Sequence, residues 1–500
     1  MRGRLVELTL LIVGCTVFMA QEPARPPRIW DDAALRDWAT PVAALNTRPA
    51  HVSSAEYYRI PGDNLRTYPV YHPDSEPPGY WKELQQKKPE PLVDLSKVKT
   101  KEDWIAAGER AFREMDSFWS RTNDPADIAQ ARDPQSFQGR LKLPDGSSHG
   151  PRWVVTEKGV MLSWVACANC HYNVQANGTL MIGGPRGPRP SSVAPINPAV
   201  PGAQGSAPVM QRYFIGDSQS MIAWRMFTVP WATDERIENL RNMPDAQGGL
   251  RAAGDPGVFH RPHGSVFYGT KIPDLQNIRY SRYLDATGTH RNRGPEDVAR
   301  YAAFINGADP MDFGPYRILT DEQRRLRFRY ADEVLYAIGV YLMSLEPPRN
   351  PDVAAKATLD RGAEVFRREG CANCHVPPDY TSGKLTLAEG YEPPRDHPNR
   401  DDILPISVGT DPSLALKTRK GTGFYKIPSL RGVWYRPRLL HDGSIASLEE
   451  MFDASRLKAD HVPGGWKGPD VTERAILGHR FGLEITPQDK AALLAFLRSL

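Results

Sequence analysis

Apolar residues recur at helical spacing in three stretches of the chain. Trp104, Ala107, Ala111 and Phe112 share one face of a predicted helix over 104–115. Ile338, Tyr341, Leu342 and Leu345 form a second stripe, and Leu493, Phe496, Leu497 and Leu500 a third. The third has a defined start, with Thr486 as N-cap, Pro487 in the first turn and Asp489 three residues past the cap. Pro347-Pro348 ends the second. Tyr341-Leu-Met-Ser-Leu345 matches Phe496-Leu-Arg-Ser-Leu500 at an offset of 155, and the same offset relates Lys271-Ile-Pro-Asp-Leu275 to Lys426-Ile-Pro-Ser-Leu430. Tyr280 then falls on Tyr435, Leu284 on Leu439 and Gly288 on Gly443, while Phe267-Tyr268 and Phe424-Tyr425 stand just before the two Lys-Ile-Pro segments. Gly108-Glu-Arg-Ala-Phe112 resembles Gly362-Ala-Glu-Val-Phe366. The pattern predicts two related, mainly α-helical domains in tandem, 101–346 with insertions and 354–500, with a boundary near 346–353.

The flanking sequence reads differently. Residues 21–100 are polar and proline-rich, with Pro-Pro pairs at 26–27 and 77–78, and predict an extended arm over the surface; disorder is the alternative. Arg2 and Arg4 precede an apolar run from Leu5 to Ala20 that Glu7 interrupts. This is too short for a comfortable membrane span and reads as a secretory signal over 1–20, against a buried N-terminal helix. Cys15 follows Leu11-Ile-Val-Gly14, which resembles a lipoprotein-processing box; the rival is cleavage near Ala20, where Phe18 is a poor fit. No later segment has the length or apolarity of a span. The expectation is a soluble body in the periplasm or outside the cell, touching a membrane only through a lipid at Cys15.

Composition narrows the function. Sixty-three basic and 59 acidic side chains leave a net charge of +4, which gives no electrostatic case for nucleic acid. Forty-six prolines and 41 glycines in 500 residues predict long irregular connections. Of five cysteines, four belong to a pentapeptide that occurs twice: Cys167-Ala-Asn-Cys170-His171 and Cys371-Ala-Asn-Cys374-His375. No structural disulfide is then expected in the mature chain.

Cys-x-x-Cys-His is the attachment sequence of c-type haem. Two thiols three residues apart reach both vinyl groups, and the next residue, His171 or His375, points at the iron as its proximal ligand. A redox disulfide needs no histidine at the fifth place, and cysteine pairs sharing one zinc lie much closer than positions 167 and 371. The cofactors expected are therefore two covalently bound haems. Asp and Asn residues are available for calcium, but no loop shows a recognisable spacing for it.

The downstream motifs carry a resemblance. Lys426-Ile-Pro-Ser-Leu-Arg431, His441-Asp-Gly443 and Leu448-Glu-Glu450 are similar to the second domain of the bacterial di-haem cytochrome c peroxidase superfamily. Within it, the long extension, the wide motif spacing, Gly421-Thr-Gly-Phe-Tyr-Lys426, Gly432-Val-Trp-Tyr435 and Gly478-His-Arg-Phe-Gly482 resemble the rubber oxygenase branch. The resemblance covers roughly 104–500. It implies a haem oxidoreductase whose first haem binds peroxide or O₂ while the second relays an electron. A small cytochrome or another redox protein would be the donor. Oxygenase cleavage of an apolar polymer or lipid is the alternative reaction. A non-catalytic carrier with both irons six-coordinate is the alternative from another class.

Distal ligands decide among these. For the second haem the resemblance favours His479, with Met451 as the alternative because peroxidases of the superfamily use a methionine on the helix after His-Asp-Gly; Met451 lies about one turn early. His461 is a further candidate, and His441 reads as a hydrogen-bonding residue at the haem edge. Residues 172–210 contain no histidine, so the first haem is expected to be open or weakly ligated. His260, His263 and His290 are its candidate distal acid–base groups, each also readable as a surface residue. Trp164 and Trp434 are the candidate electron relays, with core packing as the ordinary alternative.

Overall fold

The structure is a computed structural model describing residues 25–137, 140–174, 180–186, 215–242, 258–259, 267–308, 312–468 and 471–500. The signal segment, Cys15, His260 and His263 lie outside the described residues. Among the described residues, helix accounts for 35% and strand for 15%. Irregular chain carries the remaining half, as the proline and glycine content leads one to expect.

Two helix pairs frame the molecule. Strand β1 (Thr67–Tyr71) precedes helix α1 (Lys101–Glu114), which opens with a capping box between Thr100 and Asp103. A hairpin of β2 (Ser147–Thr156) and β3 (Gly159–Trp164) follows and pairs with β1, with Tyr68 opposite Trp153 and Trp153 opposite Leu162. Helices α2 (Pro295–Ala303) and α3 (Asp332–Ser344) close the first half. The second half holds α4 (Lys356–Arg368), a small sheet of β4 (Leu385–Leu387), β5 (Ile403–Ser407) and β6 (Phe424–Lys426), and α5 (Pro487–Arg498).

Glycine sets both helix contacts. A Cβ on Gly108 of α1 would lie 1.9 Å from the Ala337 carbonyl oxygen and 2.6 Å from the Tyr341 Cβ. A Cβ on Gly362 of α4 would lie 2.2 Å from the Ala492 carbonyl oxygen and 2.5 Å from the Phe496 Cβ. Ala337 and Tyr341 map onto Ala492 and Phe496 at the offset of 155, so the same close crossing is built twice.

The stretch of about fifty residues between α1 and the first cysteine motif is an excursion. The chain leaves α1, builds the β2–β3 hairpin and comes back, with the Ala166 amide donating to the Met115 carbonyl at 2.8 Å. The motif therefore starts at the end of its helix, as its counterpart does directly after α4 and Gly370.

The N-terminal arm departs from the expected surface wrap. Trp30 and Trp38 are fully buried in the first core, beside Trp104, Phe112, Leu335 and Ile338. The arm also ties both halves, because Thr40 donates to the Thr289 carbonyl at 2.8 Å and Ala43 to that of Gly421 at 2.9 Å. Its prolines interrupt secondary structure while its aromatic residues still bury apolar surface.

The two halves meet through mirrored main-chain bonds. The Lys271 amide donates to the His441 carbonyl, and the Lys426 amide donates to the Ala286 carbonyl, each at 3.0 Å. The offset of 155 converts one bond into the other, so the seam has pseudo-twofold character. Around it, Asp274 accepts from Tyr435 Oη at 2.7 Å and Arg436 Nε at 3.1 Å, and Asn277 donates to the Arg431 carbonyl at 3.0 Å.

Candidate functional site

Both pentapeptides close a single turn of chain. The His171 amide donates to the Cys167 carbonyl at 3.0 Å, and the His375 amide donates to that of Cys371 at 2.9 Å. Burial pushes the Cys167 thiol up to about 12 and the Cys371 thiol up to about 11. A reactive dithiol needs its pKa lowered, so the surroundings oppose redox-disulfide chemistry.

Main-chain carbonyls orient each motif histidine. Nδ1 of His171 donates to the Pro273 carbonyl at 3.2 Å. Nδ1 of His375 donates to the Tyr380 carbonyl at 3.1 Å, and the main chain of Pro428 also hydrogen-bonds to this ring. Pro273 and Pro428 are equivalent positions of the two Lys-Ile-Pro segments. The repeat thus has a physical reason: its carbonyls fix the tautomer and turn Nε2 outward, the support from behind that a metal-binding histidine requires.

In the second half, His375 lines an apolar cavity enclosing about 1400 Å³ of atom-free space, part of it open to solvent. Phe366, Cys371, Cys374, Leu430, Val433 and Leu497 are among its walls. The His479 ring stands across from His375, with ring centroids 6.5 Å apart and planes at 49°. Metal–imidazole bonds of roughly 2 Å, plus about 1 Å from each nitrogen to its ring centre, would separate two axial rings by about 6 Å. Burial holds both imidazoles down to about 4, hence neutral and able to ligate at pH 7. Nδ1 of His479 is buried with no hydrogen-bond partner among the described residues. An iron porphyrin fits this donor set and these walls.

The His479 loop is held against strain. Gly478 and His479 both have left-handed backbone, with φ of +80° and +48°. A Cβ at Gly478 would lie 2.3 Å from the Thr410 amide, so only glycine fits there. Arg456, with no exposed surface, donates to the carbonyls of Met451, Ile476, Gly478 and His479 at 2.6–3.0 Å.

Other predicted residues fall in different places. Met451 is buried and also lines the cavity. His441 lines it too, its ring 4.4 Å from Tyr425 and its Nε2 3.4 Å from the Tyr425 hydroxyl. His461 pairs with Glu450 at 3.1 Å. Trp434 donates to the Pro348 carbonyl at 3.0 Å and lies edge-on to Tyr435, at the seam. Trp164 ends β3, with the Arg140 guanidinium 5.6 Å from its ring centre. His290 is buried in an aromatic box with Trp38, His51, Tyr301 and Phe304.

Four contributors carried no site signal in the sequence. Arg456 and Arg436 belong to none of the motifs quoted from the sequence. His149, whose Nε2 lies 3.0 Å from the Ala168 carbonyl beside the first motif, belongs to the unpredicted hairpin. Lys271 stood out only as part of a repeat, and it lines the second-half cavity from the first half.

No protein-family model matches the chain. No curated protein matches it either. Among solved structures, hydrazine synthase of Kuenenia stuttgartiensis is similar at 13% identity, covering 56% of this chain and 86% of that one, with a TM-score of 0.29. A MauG-like protein associated with microbial copper homeostasis is similar at 18% identity, covering 57% and 88%, also at 0.29. The diheme peroxidase BthA from Burkholderia thailandensis is similar at 20% identity, covering 66% and 92%, at 0.27.

Proposed function

We propose that the chain is an exported di-haem c-type cytochrome and a haem oxidoreductase of the di-haem peroxidase kind. The observation that carries this reading is the pair of imidazoles, His375 buried and His479 half-buried, that face each other in the cavity lined by Cys371 and Cys374. Bound there, haem supplies one-electron redox chemistry at iron. His375 and His479 cover both faces of the second site and exclude small molecules, which suits an electron store. His171, oriented by Pro273, serves the site that takes hydrogen peroxide. Arg436, on the wall of the second-half cavity, bonds Asp274, the residue after Pro273; Tyr435 bonds the same carboxylate and Trp434 flanks it, giving a short path between the sites. A small reduced cytochrome is the donor.

A second reading is supported by His479, which lies in the Gly-His-x-Phe-Gly element that resembles rubber oxygenases: O₂-dependent cleavage of an apolar polymer. The test is made on protein matured in a host that attaches haem c. Intact mass should exceed that of the processed polypeptide by two haems, and an unmodified mass rejects the reading. Peroxide-dependent oxidation of a reduced small cytochrome supports peroxidase action, whereas oxygen uptake with polyisoprene supports the second reading. An absence of any spectral change with carbon monoxide or cyanide would leave a pure carrier.

A further inference from the structure

The second-half cavity contains two amines, one from each half of the chain. Lys271 and Lys426 both line it, and the mirrored main-chain bonds to His441 and Ala286 place them at equivalent points of the seam. Among the described residues the contacts of these amines are long, 3.4 Å from Lys271 Nζ to the Arg438 carbonyl and 3.5 Å from Lys426 Nζ to that of Tyr283. The carboxylates around them are engaged elsewhere. Asp274 holds Tyr435 and Arg436, Asp285 holds Lys420 and Tyr301, and Asp442 holds Arg474 and Ser444.

Cations in such a place are costly without a counter-ion. Burial pushes the Lys271 amine down to about 7 and that of Lys426 down to about 8. An anionic occupant would restore both charges. Haem is such an occupant, an apolar disc with two propionate carboxylates. Cys371 and Cys374 line the same cavity, and Cys371 packs against the core of the second half.

We propose that this cavity is a shared site in which Lys271, reaching across the seam, and Lys426 together bind the two propionates of the second haem. The cofactor of one half is thereby seated partly by the other. The assignment rests on the haem reading above and extends it to residues that no cysteine motif identifies. Its electrostatic consequence is direct. Cations beside the propionates offset their negative charge, so removing one makes the iron harder to reduce.

The test uses full-length, haem-loaded protein carrying K271M, K426M or K271R, with haem content measured alongside the potential of the low-spin haem. K271M and K426M should each lower the equilibrium constant for its reduction at least tenfold, about 59 mV for one electron. K271R should stay near wild type. A K271M protein with two haems and an unchanged potential overturns the proposal while leaving the haem reading intact. If K271M matures with a single haem, K271R decides: two haems support the proposal and one overturns it. A wild type with no haem on Cys371 and Cys374 sinks the haem reading and the proposal with it.

Discussion

Arg456 donates a hydrogen bond to the main-chain carbonyl of His479, 2.9 Å away. The side chain that positions the facing imidazole thus acts entirely on backbone. It holds four carbonyls around a turn whose left-handed residues would otherwise relax. Replacing Arg456 with methionine should lower stability by about 3 kcal/mol, since the carbonyls lose a charged donor in a buried place. Arg456→Lys should not rescue it, because a single ammonium cannot reach a spread of carbonyls that a guanidinium fork spans. Thermal unfolding of the loaded protein measures both.

The facing rings predict a specific spectroscopic change. His479→Ala should retain two covalent haems by mass and free one face of the second iron. Carbon monoxide should then bind to one more haem per chain than in the wild type. An unchanged carbon monoxide stoichiometry would instead favour Met451 as the ligand.

The depressed histidines give a pH dependence of definite sign. His375 and His479 are held near 4 in the folded chain, while an unfolded histidine titrates near 6.5. Between these values the unfolded chain binds more protons, so stability should fall as pH drops from about 6.5 towards about 4. Bonding to iron opposes protonation further. The low-spin spectrum should persist through pH 6.5 and be lost only near or below pH 4; loss centred near 6.5 would mean exposed rings.

The duplicated crossing predicts equal sensitivity in the two halves. Gly108→Ala and Gly362→Ala each push a methyl group into a carbonyl of the facing helix. Each should cost about 3 kcal/mol, at the upper end for overpacking. Denaturant midpoints measure this.

The parts legible in the sequence were those written as local pattern. The cysteine motifs, the stripe ending at Leu500, the Thr486 cap and the offset of 155 all depend on residues near one another in the chain or on a fixed spacing. His479 was reached through a short element around two glycines, and the left-handed backbone at 478–479 explains why glycine stands there. The hairpin before Cys167 was not legible as structure, because its first strand, β2, is completed by β1, some eighty residues away. The arm misled for a different reason: its prolines signal irregular chain, and irregular chain can still deliver Trp30 and Trp38 to a core. Arg456 gave no signal at all, since its partners are carbonyls, which every residue has.

The most direct measurement is the spin state of each iron in the resting, oxidised protein, by electron paramagnetic resonance on material carrying two haems. One low-spin signal from the His375–His479 site and one high-spin signal from the His171 site are expected. Two low-spin signals, or a high-spin second site that H479A leaves unchanged, would contradict the division of roles between the two haems.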